Sequence, residues 1–183
     1  MTFAELLADV IDRIDRARVP YMLTGSLASS YHGEPRATRD VDIVIDPDSD
    51  GLDRLIADLL GGGFDVDRDA ALAALETRTQ FNAIGADASK VDFIIRKDRP
   101  FSIEEFKRRE RADLLGTDGY IATAEDLVIA KLEWAAVSDS ERQLRDAAGV
   151  VAVAPELDVS YVDRWARSLG LSEQWRRVRE SGR

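Results

Sequence analysis

Asp40 and Asp42 stand two positions apart at the head of a β-branched run, Val41-Asp42-Ile43-Val44-Ile45. Such a run reads as a strand, and side chains two apart on a strand share a face. The two carboxylates therefore point the same way, with Val41 and Ile43 on the other side. Carboxylates brought that close repel each other, and a divalent cation removes the repulsion. A set of oxygen-only ligands suits Mg²⁺ or Mn²⁺. Asp92, inside a second apolar run (Val91 to Ile95), is a third carboxylate that a neighbouring strand would bring alongside to complete a two-metal site. Upstream, Tyr21-Met22-Leu23-Thr24 ends at Gly25-Ser26, where a strand hands over to a helix. Free N–H groups and the positive end of the helix dipole make such a turn a phosphate cradle. Gly25 permits close approach of backbone to phosphate, and the Ser26 hydroxyl can donate to a phosphate oxygen. Arg36 and Arg39, in the loop before Asp40, are candidates to clamp a triphosphate, with Thr38 between them as a substrate contact. The plain alternative is Ser26 as a helix cap and Asp40/Asp42 as a polar strand face.

The elements that must hold these residues follow from local pattern. Phe3, Leu6, Leu7, Val10, Ile11 and Ile14 recur at helical spacing, with Thr2 and Glu5 as a capping pair and Pro20 as the stop. Residues 26–31 read as a short helix and 52–60 as another, stopped by Gly61-Gly62-Gly63. A short strand at 64–66 and a helix at 69–77 follow. Residues 80–84 and 91–95 form a hairpin pattern around Gly85–Ser89. A short helix at 103–109 and a short strand at 120–122 close this half. From Thr123 the pattern turns wholly helical, with helices at 124–137, 140–153, 161–169 and from 172. The expected division is an α/β core at 1–122 and a helical region at 123–183.

The conjunction of a strand-end Gly25-Ser26, a short helix, Asp40-Val41-Asp42 on an apolar strand, and Asp92 within Lys90-Val91-Asp92-Phe93-Ile94 resembles the signature of the nucleotidyltransferase (DNA polymerase beta-like) superfamily. The resemblance implies an α+β fold with a nucleotidyltransferase-type mixed sheet, flanking helices and a C-terminal helical region. It also implies transfer of a nucleotide from an NTP to an acceptor hydroxyl, with catalytic and metal-binding roles for Asp40, Asp42 and Asp92. Within that superfamily, His32-Gly33-Glu34-Pro35-Arg36-Ala37-Thr38-Arg39-Asp40 is similar to the loop of the AbiEii-like nucleotidyltransferases. Glu125-Asp126-Leu127 through Lys131-Leu132 resembles their Lys-bearing helix, and Arg142 through Asp146 their later element, with Arg145 where they carry lysine. This branch implies a toxin–antitoxin role, an antitoxin partner, and tRNA or protein as acceptor.

Taken without the resemblance, Lys131 either reaches a phosphate or is solvated and paired with Asp126 or Glu125. Arg142 and Arg145 face one way and either touch substrate or decorate the surface. His32, the sole histidine, reads as loop-shaping rather than as a general base, and Trp134, Trp165 and Trp175 read as packing residues. A different class of function stays open: a non-catalytic, antitoxin-type regulator binding nucleotide on the same fold. A third is a helical interaction domain in the tail.

At 183 residues and 45% hydrophobic, the chain supports one domain or a domain with an appendage. It has no cysteine, which excludes disulfides and thiolate metal sites. A net charge of −10 argues against tight non-specific nucleic-acid binding and leaves small-molecule, protein or locally bound RNA acceptors. No signal-peptide pattern and no membrane-length apolar run is present, so the expectation is a soluble, cytoplasmic protein without a membrane partner.

Overall fold

The computed structural model describes residues 1–33, 40–154 and 156–181. Contacts group them into two units, one holding residues 1–27 and 40–121, the other residues 28–33 with 122–154 and 156–181.

In the first unit, helix α1 (Phe3–Ala17) starts at the expected capping pair. Glu5 N donates to Thr2 Oγ1, and Thr2 N donates to Glu5 Oε2 at 2.7 Å. Its stripe of Leu6, Leu7, Val10, Ile11 and Ile14 is buried. β1 (Tyr21–Leu23) leads into α2 (Gly25–His32), which starts in the first unit and ends in the second. β2 (Asp40–Ile45), α3 (Ser49–Gly61), β3 (Asp65–Val66), α4 (Arg68–Thr77), β4 (Gln80–Ile84) and β5 (Lys90–Ile95) follow, then α5 (Pro100–Arg108), β6 (Glu110–Leu114) and β7 (Thr117–Ile121). Asp48 and Asp67 cap α3 and α4 by accepting from Gly51 N and Ala70 N. Arg13 of α1 reaches Asp58 of α3 at 2.6 Å, and Arg16 Nε donates to the other oxygen at 2.9 Å.

The seven strands form one mixed sheet in the order β3-β4-β5-β2-β1-β7-β6. β2 pairs with β5 in parallel, in unbroken register from Asp40↔Lys90 to Ile45↔Ile95. β4 and β5 are the expected antiparallel hairpin, and β1 runs antiparallel to β2. Alternation sorts the central strands into two faces. Phe81, Ala83, Val41, Ile43, Ile45, Val91, Phe93 and Ile95 are buried on one, with Phe81 and Phe93 stacked at 5.1 Å between ring centroids. Gln80, Asn82, Asp40, Asp42, Lys90 and Asp92 lie on the other, exposed or half-buried.

One hairpin departs from the sequence reading, which left 110–119 without structure. Glu110–Leu114 pairs with Thr117–Ile121 around Leu115-Gly116, both at positive φ (58° and 88°). Two consecutive left-handed residues make the tight turn that suits a twisted hairpin. Leucine in the first position hides that turn from a search for Asn-Gly or Asp-Gly.

In the second unit, α6 (Ala124–Ser138) packs against α7 (Glu141–Val153), α8 (Val159–Ser168) and α9 (Ser172–Ser181). Thr123 caps α6, and Asp126, buried to 1% exposure, accepts from Thr123 Oγ1 at 2.7 Å and from the Tyr161 hydroxyl at 2.6 Å. Trp175 is buried and donates to Asp163 Oδ1, and Trp165 sits edge-on to Tyr161. Trp134 is 53% exposed, which corrects its reading as a packing residue. No helix among the described residues is long and apolar enough to cross a membrane.

Candidate active site

Asp42 sits at the centre of the sheet's polar face. In the parallel register it lies directly beside Asp92, and Asp40, two residues earlier on the same strand, lies beside Lys90. Paired residues on adjacent strands project to one side, so the three carboxylates share a face, as strand alternation requires. Asn82 of β4 continues the row on the far side of Asp92. The apolar partners Val41↔Val91 and Ile43↔Phe93 fill the opposite face and hold this register.

Gly25 closes in from the next strand. Thr24 N donates to the Asp42 carbonyl at 3.0 Å, which pins the end of β1 to β2. Gly25 then adopts φ +63°, and a Cβ there would fall 1.9 Å from Asp42 Oδ2 and 2.7 Å from Asp42 Cβ. Only glycine both takes this backbone and admits the carboxylate. The first turn of α2 is aimed at the same place, since Ser26 N donates to Asp42 Oδ2 at 3.4 Å. The helix N-terminus thus meets Asp42 across a long hydrogen bond, and its positive end favours negative charge there.

Lys90 was not singled out from the sequence, yet its Nζ donates to Asp92 Oδ2 at 2.8 Å. Its ammonium is held above the usual lysine range by this hydrogen bond, against the opposing effect of burial, and further by the charges of Asp92, Asp40 and Asp42. Among the described residues, Lys90 and the three aspartates of this face carry a formal charge of −2 between them. The alternation that places Asp92 on the polar face places Lys90 there too, and that was the signal available in the sequence.

Among the described residues, no group of three or more His, Cys, Asp or Glu is arranged to hold a metal ion. The donor chemistry fits a hard divalent ion all the same. All the acidic groups are oxygen ligands on one face, and a cationic group, the Lys90 ammonium, already rests against one of them.

The remaining predicted residues fall elsewhere. Arg36, Thr38 and Arg39 lie outside the described residues. Lys131 is only 4% exposed and its Nζ pairs with Asp146 Oδ2 at 3.0 Å, so it is not a solvated side chain. The reason is that α6 is covered by three helices, and the lysine position faces α7 rather than water. Arg142 and Arg145 are exposed on α7. His32 Nε2 donates to the Ala122 carbonyl at 2.7 Å, a tethering role in keeping with its loop-shaping reading.

No protein-family model matches the sequence, and no curated protein does. Solved structures do. The fold is similar to that of the lincosamide antibiotic adenylyltransferase LnuA, solved with lincomycin bound, at TM-score 0.59 and 12% identity over 84% of this chain and 98% of that one. The antibiotic-resistance factor ANT(2'')-Ia in solution gives TM-score 0.63 and 13% identity over 94% and 95%. A nucleotidyltransferase-like protein from Paracoccidioides brasiliensis gives 0.56 and 16% over 97% and 92%. The chain has the nucleotidyltransferase fold, a mixed sheet with flanking helices followed by a helical region.

Proposed function

We propose that this chain, having the nucleotidyltransferase fold, is a divalent-metal-dependent nucleotidyltransferase that moves a nucleotidyl group from an NTP to an acceptor hydroxyl. The observation that carries the reading is the in-register pairing of Asp42 with Asp92, with Asp40 on the same face and Gly25 closed against Asp42. Asp40, Asp42 and Asp92 would hold Mg²⁺ or Mn²⁺. When bound, such an ion neutralises phosphate charge and lowers the pKa of an acceptor hydroxyl. The chain's own part is placement. The Gly25 turn and the first N–H groups of α2 offer donors at the phosphates. The stiff apolar backing of β2 and β5 keeps the acidic row fixed as charge develops on the phosphorus oxygens. The acceptor oxygen attacks the α-phosphorus, the bond to the bridging oxygen breaks, and pyrophosphate leaves.

For the acceptor we favour a small hydroxylated molecule. Of the similar folds, one belongs to a lincosamide antibiotic adenylyltransferase and another to an antibiotic-resistance factor, and the likeness covers 84% and 94% of this chain. The net charge of −10 points away from RNA. The toxin-type reading, with tRNA or protein as acceptor and an antitoxin partner, is the second. Its support is the AbiEii-like sequence pattern, of which Lys131 and Asp146 form a buried pair. A non-catalytic regulator is disfavoured by the presence of all three carboxylates.

The test is transfer from labelled NTPs, with Mg²⁺ or Mn²⁺, onto aminoglycosides, lincosamides, total RNA and protein in parallel. Label on a small molecule supports the favoured acceptor, and label on RNA or protein supports the second. No label on any acceptor, with NTP binding that Asp42→Asn leaves untouched, would sink the enzyme reading.

A further inference from the structure

We propose that Lys90 is a built-in counter-cation of Asp92 on the acidic face, and that a divalent ion engages Asp92 only by displacing the Lys90 ammonium from it. This rests on the reading of Asp40, Asp42 and Asp92 as metal ligands. The Lys90–Asp92 contact is a direct ion pair at 2.8 Å between residues two apart on one strand. Pairing with Asp40 across the β2–β5 register holds Lys90 beside the second carboxylate-bearing strand as well. An Asp92 oxygen committed to an ammonium is occupied as a ligand, so metal and lysine are exclusive occupants of it.

The two side chains differ in a way that suits exchange. The Asp92 side chain is 15% exposed, while that of Lys90 is 44% exposed. A lysine is a single mobile charge on a four-carbon stem, and its ammonium can turn out to water without moving the strand. An arginine would hold the carboxylate through a rigid fork and exchange less readily. The partly exposed pair is therefore weak enough to yield to a doubly charged ion. It is also strong enough to reduce the charge on the face when that ion is absent. Lys90 is thus a positioning residue: it acts on metal loading through Asp92.

The test is Mn²⁺ binding by electron paramagnetic resonance, on the full chain, for wild type and for Lys90→Met, Lys90→Arg, Asp92→Asn, Asp42→Asn and the Lys90→Met/Asp92→Asn double variant. Circular dichroism melts confirm that each is folded. Lys90→Met should bind Mn²⁺ about fivefold more tightly, the scale of one partly exposed ion pair. The gain should vanish in the Asp92→Asn background, and Lys90→Arg should stay at or below wild type. A purely structural lysine would show neither the gain nor its dependence on Asp92. Unchanged or weaker binding in Lys90→Met, together with loss of binding in Asp42→Asn, overturns the role of Lys90 and leaves the metal site standing. Absence of Mn²⁺ binding in every protein, or binding indifferent to Asp42→Asn, overturns the metal site and this proposal with it.

Discussion

Replacing Gly25 with alanine separates backbone strain from displacement of a site residue. At φ +63° a non-glycine residue costs about 1–2 kcal/mol. The added methyl would also lie 1.9 Å from Asp42 Oδ2, so that carboxylate must leave its place, at about 0.5–1.5 kcal/mol for an off-rotamer side chain. Loss of unfolded-state freedom returns about 0.4–1 kcal/mol. Gly63 is the natural control: it sits at φ +84° with nothing within 4 Å of an added Cβ. Gly63→Ala should therefore cost roughly 1 kcal/mol or less, and Gly25→Ala about 1 kcal/mol more, the difference being the movement of Asp42. Urea unfolding measures both, and it must be followed by circular dichroism as well as fluorescence. Trp134, Trp165 and Trp175 all belong to the helical unit and report on it first. Mn²⁺ binding and nucleotidyl transfer should fall at least about tenfold in Gly25→Ala, as expected for a misplaced ligand, and stay unchanged in Gly63→Ala. If the two variants match in stability within about 0.3 kcal/mol and both bind Mn²⁺ as wild type does, the close approach of Gly25 to Asp42 has no functional weight.

Three further outcomes follow from the packing. Lys131→Met leaves Asp146 without its lysine partner and should destabilise by about 3–5 kcal/mol, while Lys131→Met/Asp146→Leu should recover more than half of that in the same urea assay. Tyr161→Phe removes the hydroxyl donor to buried Asp126 and should cost about 1.5–3 kcal/mol, read from the thermal midpoint. Asp58 is held below its ordinary value of 3.8, first by its hydrogen bond to Arg16 and then by the charges of Arg16 and Arg13. A depressed carboxylate contributes stability that is present above that ordinary value and is lost as pH falls through the folded one. Melting of Asp58→Asn should accordingly fall less steeply on acidification than wild type, and the two curves should approach each other as pH falls below the ordinary carboxylate value; parallel curves would refute the α1–α3 linkage.

Much of this organisation was legible because hydrophobic alternation and capping residues are local signals. Val41 to Ile45 and Val91 to Ile95 announced central strands, Thr2 and Glu5 the first helix, and Gly25-Ser26 a strand-to-helix turn whose φ the structure gives as +63°. What escaped depended on neighbours distant in sequence. Lys131 read as either a phosphate contact or a solvated lysine until α7 brought Asp146 to it. Trp134 looked like a core residue, but the faces of α6 packed against its neighbouring helices leave it outside. β6 alternates as Glu110, Arg111, Ala112, Asp113, Leu114, too polar to stand out, and forms because β7 offers it a ladder. Lys90 drew no notice because a lysine at a strand's first position is ordinary; its importance lies in which carboxylates the register sets around it.

The register between β2 and β5 also constrains how this gene can change. A side chain reverses its direction with each step along a strand. One codon inserted between 90 and 92 would therefore turn the last acidic group into the oily interior and bring a valine or phenylalanine out in its stead. The connection between β4 and β5, exposed at Ala86, Asp87 and Ala88, can lengthen without any such inversion. Relatives should accordingly differ in length there and keep strict spacing through the following six positions. Selection for a packed interior and selection for chemistry act on the same stretch of chain, so a sequence that keeps the first largely preserves the second.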